Sequence, residues 1–114
     1  MNGAPMNTLE SNKLHINVSA ISNTATIYLS GNFTFDAHRD FKAAYKNHLT
    51  DSKINNIVVD LEKIHYLDSS ALGMLLALRD QVQAVSKSLI LSRPSLISTR
   101  VFNIANFHKL FVIN

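Results

Sequence analysis

The feature that most constrains this chain is Ile57-Val58-Val59-Asp60-Leu61, a nearly continuous apolar run rich in β-branched side chains. Such a run suits a strand covered on both faces and belongs in the centre of a sheet. It continues through Glu62 to Leu67 and reaches Asp68-Ser69-Ser70-Ala71-Leu72-Gly73-Met74-Leu75-Leu76, where apolar spacing changes to that of a helix running to about Val85. Strand, loop and helix start are therefore legible in one stretch. Around this centre the remaining elements fall into place. Leu14, Ile16 and Val18, then Ala25, Ile27 and Leu29, alternate with polar residues on either side of a turn-like Ser22-Asn23-Thr24, which predicts an antiparallel hairpin. Ala37, Phe41, Ala44, Tyr45 and Leu49 predict a first helix over Asp36 to Thr50, with Asp36 as its N-cap. Ser88 to Leu91 predicts a short strand. Pro94 at a first-turn position with Ile97, Val101, Ile104 and Ala105 predicts a third helix ending near Asn106, and Leu110 to Ile113 a last strand. The order β-β-α-β-α-β-α-β implies a single α/β domain, a mixed sheet packed against helices.

Length supports one domain: 114 residues leave no room for a second core of ordinary size. Residues 1–13 are polar, contain Gly3 and Pro5 and show no periodicity, so a flexible leader is expected there and the folded domain over 14–114. Hydrophobic residues at 46% and charged residues at 17% are an ordinary globular balance. No apolar run approaches the roughly 20 residues that cross a bilayer, and the N-terminus lacks the pattern of a secretory signal. A cytoplasmic protein without direct membrane insertion is expected. With no cysteine, the chain has no disulfide, thiol catalysis or thiolate metal site. The net charge of +3 is scattered, and Arg39, Lys42 and Lys46 read as a solvated helix face rather than a nucleic-acid footprint.

On the helix after Asp68, Ala71, Leu75, Leu78, Val82 and Val85 form a stripe that should face the sheet. The opposite ridge carries Ser69, Gly73, Ala77, Asp80 and Ala84, edged by Leu72 and Leu76. Glycine inside a helix costs about 0.5 to 1 kcal/mol relative to alanine, so Gly73 suggests close approach by another backbone. That backbone belongs either to a partner or to another helix of the same domain. Read from the residues alone, Ser69 is first of all a helix cap. Asp68, Ser69 and Ser70 nevertheless over-supply capping groups, which leaves a hydroxyl for other chemistry. A phosphate there would meet the positive end of the helix and its free N–H groups, so the fold would tolerate it while the surface beside Leu72, Gly73 and Leu76 changed charge.

These residues, Val58-Val59-Asp60-Leu61 followed by Tyr66-Leu67-Asp68-Ser69-Ser70-Ala71-Leu72-Gly73, resemble the signature of STAS domains, typified by bacterial anti-sigma factor antagonists. The resemblance spans about Leu14 to Ile113 and implies a STAS fold. It implies that Ser69, rather than Ser70, is phosphorylated by a partner that is both anti-sigma factor and serine kinase, and that a PP2C-like phosphatase removes the phosphate. The unmodified form would capture the anti-sigma factor and the phosphorylated form release it, with Asp36, Asp68, Ser69, Ser70, Leu72, Gly73, Leu76 and Ala77 at the partner surface. The protein would be a monomer or weak dimer, with no cofactor and no enzymatic activity.

Two departures from the family pattern stand out. Gly31-Asn32-Phe33-Thr34-Phe35-Asp36 is longer than the usual loop, and its two phenylalanines suggest a subgroup with a different partner, which leaves open whether Asp36 keeps a partner contact; Asn106 stands where the family often has glycine. Competing chemistries find little footing. A serine hydrolase would need a Gly-x-Ser-x-Gly elbow, which is absent, and His15, His38, His48, His65 and His108 show no paired metal-ligand spacing. No glycine-rich phosphate loop is present. The alternative within the resemblance is a STAS subunit bound permanently to the ATPase of a membrane transport complex.

Overall fold

A computed structural model describes residues 13–114. The leader expected over 1–13 lies, except for Lys13, outside the described residues. The elements are β1 (Leu14–Ile21), β2 (Thr24–Phe33), α1 (His38–Thr50), β3 (Asn56–Leu67), α2 (Ser69–Ala84), β4 (Ser88–Ser92), α3 (Leu96–Ile104) and β5 (Val112–Ile113). Short 3-10 turns at Phe35–Ala37 and Phe107–Lys109 lead into α1 and β5. The strands lie in chain order across one five-stranded sheet, β1 antiparallel to β2 and every other pair parallel. The mixed sheet and element order predicted from the sequence are those observed.

Successive parallel strands that step in one direction, joined by crossovers of one hand, place their helices on one face. Burial agrees: Ala25, Ile27, Leu29, Ile57, Val59, Leu61 and Leu91 are buried beneath the helices and join Phe41, Tyr45, Leu75, Leu78 and Val82 in one core. Covering of β3 on both faces, expected from its composition, is not found among the described residues. Val58 is half-buried on the opposite face, and Asp60 beside it is buried through an ion pair with Arg93, Nε to Oδ2 at 2.8 Å. A side-chain pair, in place of a helix, shields this strand from behind.

Beyond Tyr28 the β2–β3 register slips twice, so that Gly31 pairs with Ile64 and Phe33 with Leu67. Each slip is a bulge that re-aims side chains. Leu61, Ile64 and Leu67, spaced by three, all reach the core as a result, while His65 and Tyr66 stay exposed. Gly31 has φ 102, and a Cβ there would stand 2.6 Å from the Lys13 carbonyl oxygen, which accounts for the glycine.

Three boundary expectations are corrected. Asp36 caps no helix: the chain makes a tight turn at Phe35–Ala37 and α1 starts at His38 without a side-chain cap. Pro94 precedes the third helix, and Ser95 is its N-cap, its side chain accepting a hydrogen bond from the Ser98 amide. Ile104 is exposed, and Phe102 with fully buried Ser98 takes its place on the inner face. Phe102, Phe107 and Phe111 stack successively at 5.1 and 4.7 Å and close the C-terminal end of the core. The last strand is correspondingly shorter than predicted. Asn106 adopts the left-handed conformation, φ 57, as expected of an asparagine after a helix. At the other end of the sheet, the Lys87 ammonium donates to the carbonyls of His48, Asp51 and Ile54 at 3.1, 2.7 and 2.6 Å and ties off the C-terminus of α1.

Candidate functional site at the head of the second helix

β2 and β3 end side by side, since the Asp68 amide donates to the Phe33 carbonyl at 3.2 Å. This bond brings the β2–α1 loop against the start of α2. Asp68 is extended, with ψ −178, and caps the helix: Oδ1 accepts from the Ala71 amide at 3.0 Å. Its other oxygen, Oδ2, accepts from the Phe35 amide at 3.4 Å and links the two loops. Of the three candidate caps, the aspartate does the capping. Ser69 therefore occupies the first helical position, exposed, and its hydroxyl makes no hydrogen bond to any described residue. Among the described residues no base holds that hydroxyl, so nothing there activates it as a nucleophile.

Ser70 is half-buried and lines, with Phe35, His38, Gly73, Met74 and Ala77, a shallow cavity of about 250 Å³. Gly73 and Ala77 are exposed, and a Cβ on Gly73 would meet no described atom within 4 Å. No helix of this domain packs there among the described residues, which removes one of the two explanations for the glycine. Leu72 and Leu76 are half-buried against the core edge. Val85, expected on the sheet-facing stripe, lies beyond the last turn and is 42% exposed, while Met74 joins Ala71, Leu75, Leu78 and Val82 inside.

The two phenylalanines of the long loop part company. Phe33 is wholly buried with its ring 5.0 Å from Phe41, whereas Phe35 is 68% exposed and stacks on His38 at 6.2 Å. Phe35 thus stands over the α2 ridge. Asp36 lines a separate groove with Lys13, Leu14 and Thr34, and Ser69 is not part of its lining. The sequence singled out both phenylalanines of this loop without assigning Phe35 to the partner surface; only the structure separates the buried Phe33 from the exposed Phe35 two residues on.

Elsewhere, Asp60, Glu62 and Arg93 form a cluster on the uncovered sheet face, Arg93 Nη1 lying 3.1 Å from Glu62 Oε2. The hydrogen bond and charge of Asp60 raise the Arg93 pKa, so the guanidinium stays charged. Among the described residues no three His, Asp or Glu side chains converge as a metal site, and no helix is long and apolar enough to cross a membrane.

A family model described as "Mlab, STAS domain" matches residues 16–113. The chain belongs to the STAS family. It is 41% identical over 96 residues to a STAS-domain containing protein of Pseudomonas aeruginosa (strain UCBPP-PA14), covering 84% of this chain and 93% of that one. Among solved structures, an anti-sigma factor antagonist from Mycobacterium paratuberculosis superposes with a TM-score of 0.78 at 17% identity, covering 90% of this chain and 86% of its own. The anti-sigma factor antagonist SpoIIAA in its unphosphorylated form gives 0.74 at 21% identity, covering 88% of each chain. The phosphorylated form of SpoIIAA, the Bacillus cell fate determinant, gives 0.69 at 21% identity, covering 88% of this chain and 91% of its own. The STAS fold of this chain is thus that of both SpoIIAA forms.

Proposed function

We propose that this STAS protein is a non-catalytic regulator that binds a protein partner through the head of α2 and is switched by phosphorylation of Ser69. One observation carries the reading: Asp68 supplies the cap, which leaves the Ser69 hydroxyl exposed and without a hydrogen bond to any described residue. A kinase can reach such a group without unfolding the helix. Phosphate adds about −1.5 to −2 charges at the positive end of α2, where free N–H groups and the helix dipole accommodate it. The scaffold survives and the surface changes. A partner fitted to the neutral ridge of Ser69, Gly73 and Ala77, flanked by Leu72, Leu76 and Phe35, would then face a dianion beside Asp68. That SpoIIAA has this fold in both its unphosphorylated and its phosphorylated form supports a switch without refolding.

The partner in this reading is an anti-sigma factor that is also a serine kinase, captured by the unphosphorylated form in the cytoplasm and released after phosphorylation. A PP2C-like phosphatase resets the switch. The test uses the wild type, Ser69→Ala and Ser69→Glu as bait in cell extract, with captured proteins identified by mass spectrometry. The alanine form captures the kinase and the glutamate form loses it. Equal capture by both variants removes the switch, and capture of a transport ATPase by all three forms indicates a permanent subunit of a membrane transport complex. Phosphopeptide mapping with Ser70→Ala alongside assigns the acceptor.

A further inference from the structure

A strand at the edge of a sheet presents unpaired N–H and C=O groups, and proteins guard such edges with charges, proline, bulges or brevity. β5, at one edge, is guarded by its length of two residues. β1, at the other edge, has none of these guards among the described residues. It is eight residues long, contains no Lys, Arg, Asp, Glu or Pro, and keeps an unbroken antiparallel register with β2 from Leu14↔Gly31 to Ile21↔Thr24. Ile21 is 73% and Val18 40% exposed.

The geometry of the hairpin fixes which backbone groups are free. A two-residue turn at Ser22–Asn23 makes Ile21↔Thr24 the bonded pair that closes it. Alternation along the ladder then turns the backbone groups of Ser19, Asn17 and His15 toward β2. Those of Ala20, Val18, Ile16 and Leu14 point outward. These outward-bonding residues carry the apolar side chains of the helix-facing side, next to a groove of about 490 Å³ between β1 and α1, where α1 contributes the small residues Ala43 and Ala44.

This pattern is complementary to itself. In antiparallel pairing with a second copy about Asn17, Leu14 comes opposite Ala20 and Ile16 opposite Val18, apolar against apolar over the groove, each pair bonded through its outward groups. On the outer side His15 comes opposite Ser19 and Asn17 opposite Asn17. Of the two charged residues that line the groove, Lys13 comes opposite Ile21 and Asp40 lies on α1 rather than on the strand, so no like charges meet along the ladder. An axis at Asn17 pairs all four outward-bonding residues within the strand, whereas an axis moved to Ile16 or Val18 pairs only three, which sets the register. An unrelated peptide has no such match built in.

We propose that β1 joins β1 of a second copy of this chain about a two-fold axis at Asn17, giving one continuous sheet with five strands from each copy. The surface is distinct from the head of α2. Sedimentation equilibrium of the intact chain should show a monomer–dimer equilibrium, and Val18→Lys, which places two like charges at the junction, should raise the dissociation constant at least about tenfold with an unchanged far-UV circular dichroism spectrum. Val18→Pro, which removes only an outward N–H, should act alike. Because the chain has no cysteine, Asn17→Cys should oxidise to a disulfide-linked dimer, the two Cα atoms of such a non-bonded pair standing about 4.5 Å apart, while Ser19→Cys should not. A wild type that stays monomeric at all concentrations overturns the proposal. So does a dimer indifferent to Val18→Lys, or cross-linking no faster at residue 17 than at 19.

Discussion

At the scale of the residue, the division of labour between Asp68 and Ser69 decides what this helix start can do. Asp68→Ala leaves the Ala71 amide without its side-chain acceptor and frees the Phe35 amide, so urea denaturation should report a loss of about 1 kcal/mol, typical of an N-cap. Ser69→Ala should change stability by less than about 0.5 kcal/mol, since its hydroxyl bonds no described residue. The surplus of capping groups was readable in the sequence. Which of the three caps was not, because it depends on the extended backbone of Asp68, held by the bond between the ends of β2 and β3. Tyr45 makes a second case. Burial raises its phenol above the ordinary value of 10.0, against a smaller opposing effect of the hydrogen bond from Gln81. In the unfolded chain the phenol ionises first as pH rises past 10, so the unfolded state binds fewer protons and stability falls. The contribution of this group is complete below pH 10 and is lost as pH climbs through the folded-state value. Chemical denaturation between pH 9 and 11 should show a shallower decline for Tyr45→Phe than for the wild type.

At the scale of the element, α2 shows how a helix can be stable and still unfinished. Its inner face is Ala71, Met74, Leu75, Leu78 and Val82; its outer ridge carries Gly73 with open space around it. Gly73→Ala should therefore stabilise the protein by about 0.5 to 1 kcal/mol in thermal or urea unfolding, since alanine loses less backbone entropy on folding and no described residue clashes. The same change should weaken capture of the partner in the bait experiment, because a methyl group stands where close approach is required. A stability gain joined to unchanged capture would place the partner elsewhere. Periodicity identified all three helices and the end of α2 near Val85, yet helix starts were misplaced at Asp36 and Pro94. Helix ends are set by the turns that deliver the chain, and a 3-10 turn at Phe35–Ala37 or a capping Ser95 leaves little trace in apolar spacing.

At the scale of the whole molecule, one core runs from Leu14 to Phe111, which predicts a single cooperative unfolding unit. Phe107, 2% exposed and stacked between Phe102 and Phe111, tests this. Phe107→Ala should cost about 3 to 5 kcal/mol and shift the far-UV and near-UV transitions together, not loosen the C-terminus alone. The fold class, the strand order in the chain and the helix carrying Ser69 were determined by the sequence itself, because alternation and helical spacing are local and survive in one dimension. The second face of the sheet and the edge of β1, which no described element covers, and the placement of Phe35 beside α2 with Asp36 in another groove were decided only by tertiary structure. Each depends on which surfaces meet across the sheet, and the apolar run of β3 reads the same whether its back is covered by a helix or by Arg93 bound to Asp60.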